Sequence, residues 1–232
     1  MAASLSAAGA AQRSWRNPAN ATVQHVKWTL IAVGLLPLLR LVAGYFLGWL
    51  GANPIEFITR STGTWTLVGL AITLSITPLR KLLNWPWLLR LRRTAGLLAF
   101  FYACLHFTTY IWFDRFFDLD DILKDIVKRP FITVGFAAFV LLVPLATTSN
   151  NAIIKRLGAR LWRRIHYAVY LIAVLAVVHY WWLVKKDITQ PAIYAAVFFL
   201  LLALRLFWKL RDVTQGRNAG DSKRRPIENQ RA

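Results

Sequence analysis

The chain has 232 residues, 57% of them hydrophobic, with 11 tryptophans, four histidines, one cysteine and a formal net charge of +19; its mean hydropathy is +0.44. That charge on a soluble domain would suggest nucleic acid, but here Lys and Arg gather in short runs between apolar stretches, as orientation signals of a membrane protein do, so nucleic acid is set aside as a partner. A lone Cys104 excludes an internal disulfide and a CxxC metal site, and reads as a small packing residue.

Residues 1–24 are Ala/Ser-rich, carry Arg13 and Arg16, and lack the continuous apolar core of a secretory signal. They are expected to form a disordered cytoplasmic arm. A membrane helix needs about 20 mostly apolar residues. Stretches that meet this lie at 26–47, 64–82, 94–113, 131–148, 165–183 and 191–208. The expected fold is therefore all-α: a polytopic bundle of six transmembrane helices over residues 25–210. Pro37 and Arg40 lie in the first stretch, which implies a kink or a partly interfacial position. The second and fourth are short and contain Thr, Ser or Pro, which a bundle tolerates. No sequence repeat is apparent, and the third and fifth stretches are alike only in carrying histidine. Residues 211–232 are polar and basic, expected to be a disordered cytoplasmic tail. They either hold to anionic lipid or simply help set topology.

Orientation follows from Lys and Arg. Arg80, Lys81, Arg90, Arg92 and Arg93 follow the second stretch without an acid, and Lys155, Arg156, Arg160, Arg163 and Arg164 follow the fourth. On the other side, residues 48–63 are nearly neutral. Residues 114–130 hold Asp114, Asp118, Asp120, Asp121 and Asp125. Only Lys185 and Lys186 point the other way. Both termini are thus expected in the cytoplasm. The acidic connector 114–125 is either a solvated loop or a docking surface for a partner.

Three histidines stand in or at the ends of apolar stretches, where imidazole needs a partner. His106 lies thirteen residues past Arg93, and His179 thirteen residues past His166. At 1.5 Å per residue both His106 and His179 are about 20 Å deep, hence level with each other. Neutral imidazole is a common haem ligand, so these two are expected to clamp one low-spin b-type haem suited to electron transfer; the bland alternative is a helix–helix hydrogen-bonding pair. His166 does not share a helical face with His179. It either ligates a second haem with another or no partner, hydrogen-bonds a flavin, quinone or propionate, or is merely interfacial. His25, beside Lys27, reads as interfacial.

Arg90, Arg92, Arg93, Arg163 and Arg164 bracket the cytoplasmic ends of the histidine stretches. They suit haem propionates, a flavin phosphate or an anionic partner, or act only as topology signals. Trp112, Trp181 and Trp182 mark the opposite ends as an aromatic belt would.

The stretches GANPIEFITRSTGTWTL, ITPLR, LRRTAGLLAFFYACLHFTTY, KRPFITVG, LATTSN, KRLGARLWRRIHYAVYLIAVLAVVHYWWLVK and LLLALRL run in order from about residue 48 to 206. Together they resemble the MsrQ (YedZ) family, the haem-binding membrane subunits of bacterial methionine-sulfoxide reductase systems, within the ferric-reductase-like transmembrane group. His106, His166 and His179 fall where that family carries its haem-associated histidines. Related NADPH oxidases and ferric reductases carry two histidines on each of two helices. This chain lacks the fourth, with Arg92 and Arg93 in its place, so one haem is expected and a second is in question. The resemblance implies an inner-membrane, multi-pass electron-transfer subunit rather than a catalytic one. It implies FMN as a further cofactor, a quinone or a cytoplasmic flavin reductase as donor, and the periplasmic molybdopterin reductase MsrP as acceptor, in repair of oxidised periplasmic proteins. No GxGxxG unit and no nucleophile–base pair is present, so donor and acceptor are expected on other molecules. The competing reading is a stand-alone quinol-linked reductase of ferric chelates or oxygen.

Overall fold

The computed structural model describes residues 16–184 and 186–222. Eight α-helices follow the start of the described chain. They are α1 (Asn20–Phe46), α2 (Pro54–Leu83), α3 (Arg92–Thr109), α4 (Leu119–Lys128), α5 (Pro130–Thr147), α6 (Asn151–His166), α7 (Ala168–Leu183) and α8 (Thr189–Ser222). A 3₁₀ turn, Pro86–Leu91, leads into α3, and a π turn, Tyr110–Asp114, ends it. Among the described residues there is no strand, and six stretches are long and apolar enough to cross a membrane: Asn20–Phe46, Pro54–Leu83, Pro86–Asp114, Pro130–Thr147, Asn151–Leu183 and Thr189–Thr214. Large apolar side chains such as Phe46, Phe199 and Phe207 point outward, as they do when the solvent is lipid.

Five features differ from those expected. The second span starts at Pro54, ten residues early, because Asn53–Pro54–Ile55–Glu56 is a helix start. The Asn53 side chain accepts from the Glu56 amide at 3.1 Å and donates to its carboxylate at 3.1 Å, while Pro54 occupies a position that needs no N–H. The acidic connector 114–130 is not an open loop but contains α4, capped by Asp118, which accepts from the Asp121 amide. The basic loop after the fourth span is the amphipathic helix α6, bent at Gly158 with φ of 75°. The end helices also overrun the expected limits, α1 starting at Asn20 and α8 running to Ser222. Residues 1–15 and 223–232, most of the expected arm and the end of the expected tail, lie outside the described residues.

The core is built from two helix pairs, α2 on α3 and α5 on α7. Gly69 lets α2 approach α3 so closely that a Cβ there would lie 2.8 Å from that of Ala99. This is the small-residue packing of membrane helices. Leu70, Leu74, Leu142 and Ile172 fill the centre.

Two of the prolines inside these helices are each answered by a side chain. α1 is continuous through Pro37, and the Tyr102 hydroxyl inserts into its ladder there. It donates to the Gly34 carbonyl at 2.7 Å and accepts from the Leu38 amide at 3.2 Å. Pro78 has no N–H, so the Leu74 carbonyl four residues earlier loses its helical donor. Arg205 of α8 supplies one instead, at 2.6 Å, while its other terminal nitrogen donates to the Tyr170 hydroxyl at 3.0 Å. Arg205 thereby fastens the last helix to both halves of the core.

This pairing makes a specific prediction. Arg205→Met should lower unfolding stability in detergent by about 1.5–3 kcal/mol, the worth of a charge-assisted hydrogen bond. In a Pro78→Ala background, where the substituted position brings its own backbone amide, the same change should cost clearly less. Equal costs in a double-mutant cycle would show that the Leu74 carbonyl is not what Arg205 serves.

Candidate functional site

His106 on α3 and His179 on α7 face each other across a cavity of about 520 Å³, within the range of small-molecule and cofactor pockets. Their ring centroids are 6.1 Å apart and their planes are 74° apart. The walls are mostly apolar, with Leu67, Leu70, Phe107, Phe139, Leu142 and Ile172 among them.

Each ring is held by the same two devices. His106 Nδ1 is 2.9 Å from the carbonyl of Thr59, and His179 Nδ1 is 2.7 Å from that of Phe131. A carbonyl only accepts, so each Nδ1 carries the proton and each Nε2 keeps a free lone pair, the form in which histidine binds metal. Four residues beyond each carbonyl stands a glycine. A Cβ on Gly63 would lie 3.0 Å from His106 Cε1, and one on Gly135 would lie 2.6 Å from His179 Nδ1. Thr59 and Gly63 on α2, and Phe131 and Gly135 on α5, thus make matching slots, one per helix pair. This internal correspondence is absent from the sequence as a repeat and was missed there. Its signal is a glycine within an apolar span that pairs with a histidine-bearing one.

The spacing can be tested against a shared metal. Two metal–imidazole bonds of about 2 Å, plus about 1 Å from each nitrogen to its ring centre, put the centroids about 6 Å apart. Among the described residues no group of three or more His, Cys, Asp and Glu could hold a metal ion. The pair therefore suits a metal that brings its remaining donors with it, as haem iron does.

Arg60, Arg115, Arg129 and Asp114 stand where the cavity meets the helix ends. Arg115 pairs with Asp125 at 2.6 Å and Asp121 at 2.7 Å, Arg129 with Asp125 at 2.8 Å, and the Tyr110 hydroxyl donates to Asp125 at 3.0 Å. Asp121 and Asp125 are thus engaged within the chain. Asp118 serves as a helix cap. Of the two readings of the acidic connector, a solvated loop or a docking surface, the docking surface loses much of its charge to these internal pairs.

His166 is not brought to the pair. It lines a second cavity of about 170 Å³ with Arg92, Arg93, Thr73, Ser149 and Trp162. Its Nδ1 donates to the Trp162 carbonyl at 3.0 Å, and its ring lies 4.0 Å from the indole of Trp162. Arg93 donates to the Asn151 side chain at 2.8 Å. Arg163 and Arg164 are exposed and line neither cavity, as is His25 on α1. Cys104 touches neither cavity wall. Leu70 and Leu142 belong to both cavities. Between them Phe100 stacks on Phe139 at 6.2 Å, and Phe139 on Phe107 at 4.6 Å, so the two spaces are one side-chain layer apart.

Residues 62–177 match the family model described as ferric reductase like transmembrane component. Several curated relatives carry the name protein-methionine-sulfoxide reductase heme-binding subunit MsrQ. That of Herminiimonas arsenicoxydans is 58% identical over 79% of this chain and 85% of its own length. That of Ralstonia nicotianae is 51% identical over 86% and 93%. That of Azospira oryzae is 52% identical over 80% of each chain. Six apolar spans and these bacterial relatives make the chain a multi-pass membrane protein, in keeping with the bacterial inner membrane. By the family model and by this identity over most of its length, the chain belongs to the MsrQ family of the ferric-reductase-like transmembrane group.

Proposed function

We propose that the chain is the b-type haem subunit of a methionine-sulfoxide reductase system, carrying electrons through the membrane to a partner that does the chemistry. The observation that carries this is the His106–His179 pair: two imidazoles 6.1 Å apart, each with Nε2 free, in a mostly apolar cavity, with no third His, Cys, Asp or Glu grouped with them among the described residues. His106 and His179 would hold the haem iron. Haem held there would supply a one-electron iron couple suited to electron transfer. Thr59 and Phe131 fix the tautomer and orientation of the rings. Gly63 and Gly135 keep the slots open, and the apolar walls exclude water.

With both termini in the cytoplasm, as the basic loops imply, residues 25–210 form the haem domain, the His106–His179 cavity lies toward the periplasm, and His166 lies toward the cytoplasm. His166, Arg92 and Arg93 are then the entry site. The two guanidiniums beside the imidazole suit an anionic or carbonyl-bearing electron carrier, such as FMN, a quinone or the propionates of a second haem. The donor is the quinone pool or a cytoplasmic flavin reductase, and the acceptor is the periplasmic molybdopterin reductase MsrP. Arg163 and Arg164, exposed on α6, fit an anionic partner or lipid headgroups better than a cofactor.

Two results would follow from this assignment. His106→Ala and His179→Ala should each abolish the low-spin haem spectrum of the purified protein, while His166→Ala should retain it. Equal and complete haem loss in all three variants would count against the pairing. Gly135→Ala keeps both histidines but overpacks the slot by about 1–3 kcal/mol. It should weaken haem retention about tenfold or more, and more than Gly63→Ala, where the added carbon has more room. Unchanged haem content in Gly135→Ala, followed during dilution into apo-myoglobin, would contradict the slot.

A further inference from the structure

α4 carries two apolar stripes that face different surroundings. Ile122 is buried and Ile126 lines the larger cavity. Leu119, Leu123 and Val127 fall within about 80° of one another on the helix and are 72%, 62% and 82% exposed. Asp120, Lys124 and Lys128 follow on the next side round and are exposed as well. Taken around the helix, the order is protein, apolar but uncovered, then charged. A helix that met only protein and water would have no use for the middle stripe. A helix lying flat at a membrane surface, against a transmembrane bundle, needs that order: one flank to protein, one into lipid, one to water.

The turn before α4 adds to the same surface. Phe116 and Phe117 have φ of 49° and 62°, a left-handed conformation that bulky L-residues rarely adopt. Hydrogen bonds hold the turn closed, from the Phe117 amide to the Ile111 carbonyl at 3.0 Å and from the Asp118 amide to the Arg115 carbonyl at 2.9 Å. The strained turn nonetheless leaves the Phe116 and Phe117 rings largely uncovered. Phe117 lies 6.2 Å from the ring of Trp112, an exposed tryptophan at the end of a membrane span, where the bilayer interface runs. The apolar surface of α4 is therefore continuous with the lipid-facing surface of the bundle.

We propose that α4 is an interfacial helix seated in the lipid leaflet on the His106–His179 side, with Leu119, Leu123, Val127, Phe116 and Phe117 among the upper acyl chains. The partner is the lipid surface itself. Through Ile126, and through Arg115 and Arg129 bonded to Asp121 and Asp125, the seated helix covers the edge of the larger cavity. This inference does not depend on what fills that cavity.

The test uses the full chain in liposomes. In a Cys104→Ser background, single cysteines replace Leu123, Val127, Asp120 or Lys124, each labelled with an environment-sensitive fluorophore. Lipids with a nitroxide high on the acyl chain should quench the labels in Leu123→Cys and Val127→Cys several-fold more than those in Asp120→Cys and Lys124→Cys, and aqueous iodide should give the reverse order. Equal iodide quenching at all four positions would place the stripe in water and overturn the proposal. Protection of the Leu123 and Val127 positions from both quenchers would mean that protein covers the stripe, and would overturn it too.

Discussion

A histidine at membrane depth has no water to satisfy its ring, and in this chain the backbone of the neighbouring helix does so. Nδ1 of His106 and Nδ1 of His179 each donate to a carbonyl of the preceding span, and a glycine one turn further on leaves room for the ring. The remaining arrangement depends on these two slots. They require α2 to lie close on α3 and α5 close on α7, and the two pairs meet where α3 lies on α5 and α2 on α7. A ring so held cannot swing to satisfy itself elsewhere. Its Nε2 is fixed toward the cavity, which is the preorganisation a ligand pair needs.

Charged side chains surround this apolar centre in two settings. Cations with partners brace the structure: Arg205 repairs the helix at Pro78, and Arg115 and Arg129 tie α4 down through Asp121 and Asp125. Arg92 and Arg93 line the second cavity beside His166, Arg93 while donating to the Asn151 side chain. On the proposed reading, Arg115 and Arg129 set the geometry of the exit side, and Arg92 and Arg93 receive the electron source. The aromatic layer of Phe100, Phe139 and Phe107 keeps the two cavities separate yet close.

Much of this was legible in the residues. Hydropathy alone located six spans, and counting residues from the basic flanks put His106 and His179 at one depth, where the structure sets them face to face. The beginning of α2 was lost because Thr59, Arg60, Ser61 and Thr62 lower the hydropathy of a segment whose cap, Asn53–Pro54–Ile55–Glu56, was nonetheless readable. α4 was lost because five aspartates drew attention away from the helical spacing of Leu119, Ile122, Leu123, Ile126 and Val127. The glycine slots were beyond reach for a different reason. Gly63 and His106, like Gly135 and His179, meet only through packing of separate helices, and one sequence carries no record of which helices touch.

The most direct test of the central claim is a dithionite-reduced minus oxidised absorbance spectrum of the purified protein, with haem per chain counted as the pyridine adduct. A six-coordinate, low-spin b-type spectrum with at least one haem per chain is the predicted result, and a second equivalent would assign the His166 cavity as well. A protein that stays colourless after haem is supplied during expression, or one whose haem is high-spin and five-coordinate, would contradict the clamp formed by His106 and His179.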